Sequence, residues 1–208
     1  MTIKENSLFR GRWSPLTSLI GSSILILASG RLAFALVAAG SLFWVYTLSA
    51  LANGAARRVL PQKGKKWILV LLVSTIGSVY VLALWLLSPL LALETFFILF
   101  LVPISCIVSG ILERTESLCP ADIMTKAYSE AALLSALTII FSLIREPLGF
   151  CTLSLPGGSE GIVFLFVAEE EAFFPVRVIA ATPGALFLLG YGIVLFRRLE
   201  VFRQEENR

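Results

Sequence analysis

Long runs without charged side chains are the feature that most limits what this sequence can fold into. A hydrocarbon core of about 30 Å takes about 20 helical residues to cross. Residues 16–30, 32–56 and 178–196 contain no charge, 127–144 carry only Glu130, and 67–112 carry only Glu94. The 67–112 run is too long for one helix, and Ser88-Pro89 offers a turn near its middle. Six membrane crossings are therefore predicted.

The composition excludes several classes of protein. Of the 208 residues, 57% are hydrophobic and only 15% are charged. In soluble domains about a quarter of the residues are charged. The chain has no histidine, so it offers no imidazole for acid-base catalysis, metal binding or haem ligation. Three cysteines do not make a disulfide framework. The Pro156-Gly157-Gly158 turn lacks the lysine of a phosphate-binding loop.

The basic residues predict how the chain is oriented. With six spans, fourteen of the 17 Lys and Arg residues fall on the side that holds both termini, and the other three are Arg31, Arg145 and Arg177. Cytoplasmic loops retain basic residues. We therefore expect a multi-pass membrane protein with both termini in the cytoplasm and lipid as its surroundings.

A weak internal likeness suggests two halves. Residues 20–25 and 103–108 occupy comparable places, and each is followed by an arginine, a long span and a basic residue near a proline. One membrane domain, residues 1–208, would then contain a repeat at about 14–87 and an inverted repeat at about 90–197. Chance similarity between any two groups of three spans explains the same matches, and the residues alone leave both readings open.

Three stretches in the second half resemble a known family. SCIVSGILE at residues 105–113 is similar to the N-C-I-[IV]-x-G-R-A-E stretch of the membrane subunits of Rnf-type and Nqr-type redox pumps. LIREPLG at 143–149 resembles the R-E-x-L-G-S-G of the RnfE/NqrD branch, and TPGALFLLG at 182–190 resembles the last span of that branch. In the first half the resemblance depends on hydropathy and on Ser14-Pro15, where the family has Asn-Pro.

The resemblance implies an all-α fold of two inverted three-helix repeats in which the first and fourth helices are broken. It implies a membrane subunit that helps to carry electrons across the bilayer, coupled to Na⁺ or H⁺ movement. Its partners would be an RnfA/NqrE-like six-span sister subunit and flavin-bearing subunits. No catalysis is expected from the isolated chain, which would at most be a subunit of a translocase.

The resemblance also implies a [2Fe-2S] cluster shared with the sister subunit, with Cys106 as a candidate ligand. Thiolates are the usual ligands of such clusters. Ser22-Ser23 stands where the first family cysteine would be, and no cysteine precedes Cys106. We therefore expect a divergent member in which cluster ligation is impaired or supplied by a partner. Without the family, Cys106 reads as a small apolar core residue.

Two further alternatives stay open from the sequence. A six-span transporter or channel unrelated to redox chemistry would show the same hydropathy. Glu94 is either part of a cation path, as intramembrane carboxylates often are, or a carboxylate at the outer boundary, which its place five residues after Pro89 favours. Arg145-Glu146 would cap the end of the fifth span, where Pro147 is expected to stop the helix. Glu113 would be solvated or ion-paired.

Overall fold

The computed structural model describes residues 30–56, 64–110, 120–157, 161–167, 177–181 and 183–188, and the single positions 190, 191, 194 and 198. In chain order the elements are α1 Leu32–Ala56, α2 Lys65–Leu87, α3 Pro89–Val108, α4 Pro120–Phe150, β1 Thr152–Pro156, β2 Ile162–Val167 and the short helix α5 Arg177–Ala180. Residues 183–188 are helical as well. The described chain is therefore mostly helical.

Four of these helices, α1 to α4, are long and apolar enough to cross a membrane. At about 1.5 Å per residue, the 20 residues of α3 span about 30 Å, and the 31 residues of α4 exceed the hydrocarbon thickness. The predicted second to fifth spans are therefore present as helices. The predicted first span, residues 16–30, lies almost wholly outside the described residues, and the sixth is described only in part, so six spans are not confirmed.

Helices α1 and α3 run in one direction and α2 and α4 run in the other, so the bundle has two ends. The hairpin end holds the start of α1, the α2–α3 turn, the end of α4 and the β1–β2 hairpin: the amide of Leu32 bonds to Glu146, and Gly161 lies against Leu90. The opposite end holds the end of α1, the start of α2, the end of α3 and the start of α4, where Gly54 lies against Ile123.

The turn between α2 and α3 lies at the predicted position. α2 ends at Leu87 and α3 begins at Pro89. The Ser88 side chain accepts a hydrogen bond from the Leu91 amide, and Pro89 occupies the first helical position, where its missing N–H is no loss. A serine cap followed by proline explains why one apolar run folds into two helices.

Small side chains allow α1 to pack closely with its neighbours, as expected from its alanines. Ala33, Ala35 and Ala38 are fully buried. From α4, the Ser135 hydroxyl donates to the Ala39 carbonyl at 3.3 Å. A second close approach joins α2 to α3, where a Cβ atom on Gly77 would lie 2.6 Å from the Pro103 ring. α1 is consequently the central helix of the described bundle.

The structure differs from the sequence-based expectations in two respects and leaves a third unconfirmed. Helix α4 continues through Pro147 to Phe150, so the expected stop at Pro147 is wrong: the proline lies in the last turn, and the end is closed by the Cys151 amide on the Pro147 carbonyl at 3.1 Å. An antiparallel hairpin follows α4 in a chain expected to be all-α. The broken fourth helix is not confirmed, since α3 is one continuous helix that includes Pro103.

Candidate functional site

The candidate ligand Cys106 lies two residues before the end of α3, near the opposite end of the bundle. Its side chain is fully buried in the core shared by α1, α3 and α4. The helix ends directly afterwards at Ser109 and at Gly110, whose φ of 67° is a conformation that glycine adopts readily. The thiol therefore faces the inside of its own bundle.

The polar neighbour of the thiol is a serine of α1. Ser49 Oγ lies 3.8 Å from Cys106 Sγ, and the Ser49 hydroxyl also bonds to the Val45 carbonyl one turn earlier. The Ser49 hydroxyl and the Cys106 thiol are therefore joined by one hydrogen bond inside a packed core.

A second contact between α1 and α3 lies one turn away. Tyr46 Oη is 3.3 Å from Ser105 Oγ, and both side chains are fully buried. On α3, the Ser109 hydroxyl donates to the Cys106 carbonyl at 2.8 Å. Cys106 thus belongs to a small hydroxyl-rich cluster of Tyr46, Ser49, Ser105 and Ser109 that joins the two helices inside the bundle.

The structure places the candidate cluster ligand inside its own chain. The Cys106 side chain has no exposed surface. Within the described ranges, no three Cys, Asp, Glu or His side chains lie close enough to hold a metal ion. Cys151 lies at the hairpin end, away from Cys106. Ser22, Ser23, Glu113 and Cys119 lie outside the described residues.

The hairpin end contains a buried carboxylate that caps α1. The first amides of a helix have no partner within the helix, and here they find partners far away in the sequence. The Leu32 amide donates to Glu146 Oε2 at 2.6 Å, and the Ala33 amide donates to Ser154 Oγ at 3.3 Å. Thr152 Oγ1 donates to Glu146 Oε1 at 3.4 Å. Glu146 is fully buried, and its negative charge lies at the positive end of the α1 dipole.

Its neighbour Arg145 reaches a different element. Successive side chains on a helix point about 100° apart, so Glu146 faces α1 while Arg145, 4% exposed, extends toward α5. Arg145 Nε donates to the Ile179 carbonyl at 3.1 Å. The pair therefore ties the end of α4 to the start of α1 and to α5. The helix end that Glu146 caps is the start of α1, not the end of its own span as the sequence suggested.

The close approach after α5 explains the glycine of the last resembling stretch. A Cβ atom on Gly184 would lie 2.1 Å from the Val178 carbonyl oxygen and 2.5 Å from Ile179 Cα. Backbone atoms do not give way as a flexible side chain does. A glycine is thus required where the helical residues 183–188 fold against α5.

Arg31 completes the hairpin end. Its guanidinium carbon lies 5.8 Å from the centre of the Phe150 ring and 5.5 Å from that of Phe164, distances typical of cation–π contacts. Glu94 is exposed, in the second turn of α3, with its carboxylate near Gly161 of the hairpin. This position agrees with the boundary interpretation of Glu94.

Sequence reasoning missed the partners of these residues. Tyr46 and Ser49 lie three residues apart in α1, which places them on one face of the helix. The sequence does not show which helix that face meets. Ser154 lies in a strand that was not predicted. Arg145 and Glu146 were identified, because charges at the end of an apolar run are conspicuous; their partners are not encoded locally.

The described chain is thus a mostly helical bundle with four helices long and apolar enough to cross a membrane and a β-hairpin at one end. No protein-family model, no curated protein and no solved structure matches the chain. The resemblance to the Rnf/Nqr membrane subunits therefore depends on the three stretches alone.

Proposed function

We propose that the chain is a scaffold subunit of an Rnf/Nqr-type ion-translocating electron-transport complex of the bacterial cytoplasmic membrane. Both termini would lie in the cytoplasm, so that the hairpin end faces outward. An RnfA/NqrE-like six-span subunit and flavin-bearing subunits would be its partners. Electrons would pass through those partners, coupled to Na⁺ or H⁺ movement.

One observation carries the proposal: each of the three resembling stretches supplies a contact between elements of the bundle. Residues 105–113 contribute Ser105 and Cys106, which face α1. Residues 143–149 contribute Arg145 and Glu146, which bond to α5 and α1. Residues 182–190 contribute Gly184. Of these residues, Cys106, Arg145 and Glu146 stand at positions that match the family's motifs, so the likeness and the contacts coincide at these three residues.

A scaffold role agrees better with Cys106 than a ligand role does. The thiol is buried, shares a hydrogen bond with Ser49 and has no second cysteine beside it among the described residues. No electron-transfer step is therefore assigned to this chain. Its contribution would be to hold helices of the electron-carrying subunits in place.

Purification of the tagged chain from its own membranes in a mild detergent tests the proposal. We expect a complex that contains bound flavin, iron and a second six-span protein. A homo-oligomer that lacks flavin and iron and moves a solute in vesicles would contradict the proposal and support the transporter alternative.

A pair of variants tests the scaffold part separately. We expect Cys106→Ala, like the control Cys151→Ala, to leave the iron content per complex and the visible absorbance unchanged. Loss of about two iron atoms per complex in Cys106→Ala alone would show that Cys106 is a cluster ligand. Loss of the whole complex would instead appear as missing partner subunits on a gel, and native-size assembly is therefore measured on the same samples.

A further inference from the structure

The second strand of the hairpin exposes an unbroken apolar surface. Five consecutive residues of β2 are between 38% and 64% exposed: Val163, Phe164, Leu165, Phe166 and Val167. Between the paired positions Leu153↔Phe166 and Ser154↔Phe164, Leu165 is an extra residue, which makes a β-bulge. Large exposed apolar surfaces mark sites of membrane or protein contact.

The hairpin lies at the height where the apolar part of the bundle begins. Its turn residue Gly161, with φ of 81°, packs on Leu90 in the first turn of α3 and close to the Glu94 carboxylate. Beyond the exposed Glu94 in the second turn, the outer surface of α3 is apolar, with Phe97 and Phe100 exposed at 72% and 46%. The surface of β2 is therefore continuous with the lipid-facing surface of a span.

The same height carries the groups that typically lie among lipid head groups. The Arg31 guanidinium is held between the Phe150 and Phe164 rings. A guanidinium at this height can bind lipid phosphates, and the two phenyl rings beside it are apolar. The exposed side chains of β2 offer no polar group, whereas protein interfaces carry about one hydrogen bond per 100–200 Å².

We propose that the β1–β2 hairpin is an interfacial anchor whose β2 strand lies at the boundary between the head groups and the acyl chains of the bilayer. A two-stranded hairpin has unpaired backbone groups along its outer edges, and these need water or head groups. The strand therefore stays at the boundary and does not enter the hydrocarbon core. This anchor does not depend on the electron-transport proposal, because it needs only the bilayer around the bundle.

Spin-label accessibility tests the anchor in the full chain, reconstituted at one copy per nanodisc of phosphatidylcholine with no other protein. The label is attached to Leu165→Cys after replacement of Cys119 and Cys151 by serine. Matched references are Phe97→Cys, on the lipid-facing side of α3, and Asp122→Cys, exposed near the charged start of α4. The ratio of collision rates with oxygen and with a nickel chelate reports depth.

We expect the ratio at position 165 to lie between the two references and to exceed that at 122 several-fold. A ratio at 165 equal to that at 122 would place β2 in water and overturn the anchor. Low collision rates with both reagents would mean that protein covers β2, which overturns it equally. If a labelled variant fails to fold, a lipid-borne carbene reagent on the unmodified chain gives the same decision: the 162–167 peptide is labelled if the anchor is correct and unlabelled if it is not.

Discussion

Removal of the Glu146 carboxylate should weaken the whole hairpin end. This side chain is fully buried and accepts hydrogen bonds from the Leu32 amide at 2.6 Å and from Thr152 at 3.4 Å. A hydrogen bond to a charged group contributes about 1.5–3 kcal/mol, and an anion at a partly buried helix N-terminus up to about 2 kcal/mol. The two overlap, because both describe the carboxylate beside the first amides of α1.

We therefore expect Glu146→Ala to lower the free energy of unfolding by about 3 kcal/mol, a factor of roughly a hundred in the unfolding equilibrium. Glu146→Gln keeps one oxygen that can accept from the Leu32 amide, but it loses the charge and replaces the oxygen that accepts from Thr152 with an NH2 donor. Its loss should therefore be smaller than that of the alanine variant, about 1 kcal/mol. The control is Glu94→Gln, an exposed acid at the same end of the bundle, with an expected change within about 0.5 kcal/mol.

The assay is reversible unfolding in mixed micelles of increasing SDS fraction, followed by circular dichroism, with the three variants compared at equal detergent. The reasoning predicts the order of loss Ala, then Gln, then the Glu94 control. If Glu146→Gln were as stable as the parent protein or more so, desolvation of the buried charge would outweigh its bonds, and the capping argument would be wrong.

Two further results are expected. Gly77→Ala should lower the free energy of unfolding by about 1–3 kcal/mol in the same assay, because its Cβ would lie 2.6 Å from the Pro103 ring. The control Gly190→Ala has no atom within 4 Å of the added Cβ and should change little. Equal losses in the two variants would argue against the close α2–α3 approach. In the folded protein N-ethylmaleimide should modify the partly exposed Cys151 at least about tenfold faster than the buried Cys106, and equal rates before addition of SDS would contradict the position given to Cys106.

The spans were predictable because their signals are local. Uncharged length identifies a membrane helix, and the Ser88-Pro89 pair contains both a cap and a helix-breaking residue, so α2 and α3 were placed correctly. Pro147 was misread because a proline inside a helix removes one backbone hydrogen bond and can kink the helix without ending it. The local signal is the same in both cases, but its effect on the helix depends on the position of the proline within it.

The hairpin was missed although its sequence holds a signal. Glycines at 157, 158 and 161 lie between two runs rich in apolar and β-branched residues, a pattern typical of a hairpin with a longer turn. Strand pairing depends on contact between the two runs, which hydropathy along the chain does not report.

Contacts that join distant residues account for most of the rest. Glu146 and Leu32 are 114 residues apart, and Tyr46 and Ser105 are 59 apart. In the sequence, Glu146, Tyr46 and Ser105 each look like a polar residue that an apolar environment tolerates. The buried position of Cys106 likewise depends on how α1 and α3 meet, since the same stretch on a helix turned by half a revolution would present the thiol to a partner.

Sidedness is the measurement that tests the membrane-spanning bundle most directly. Cys151 lies directly after α4 at the hairpin end and Lys65 begins α2 at the opposite end, so three spans separate them. In sealed vesicles of known orientation, with Cys119 replaced by serine, a membrane-impermeant maleimide should reach Cys151 from one side only and Lys65→Cys from the other side only. Reaction of both positions from the same side would contradict a bundle in which α2, α3 and α4 cross the bilayer in alternating directions.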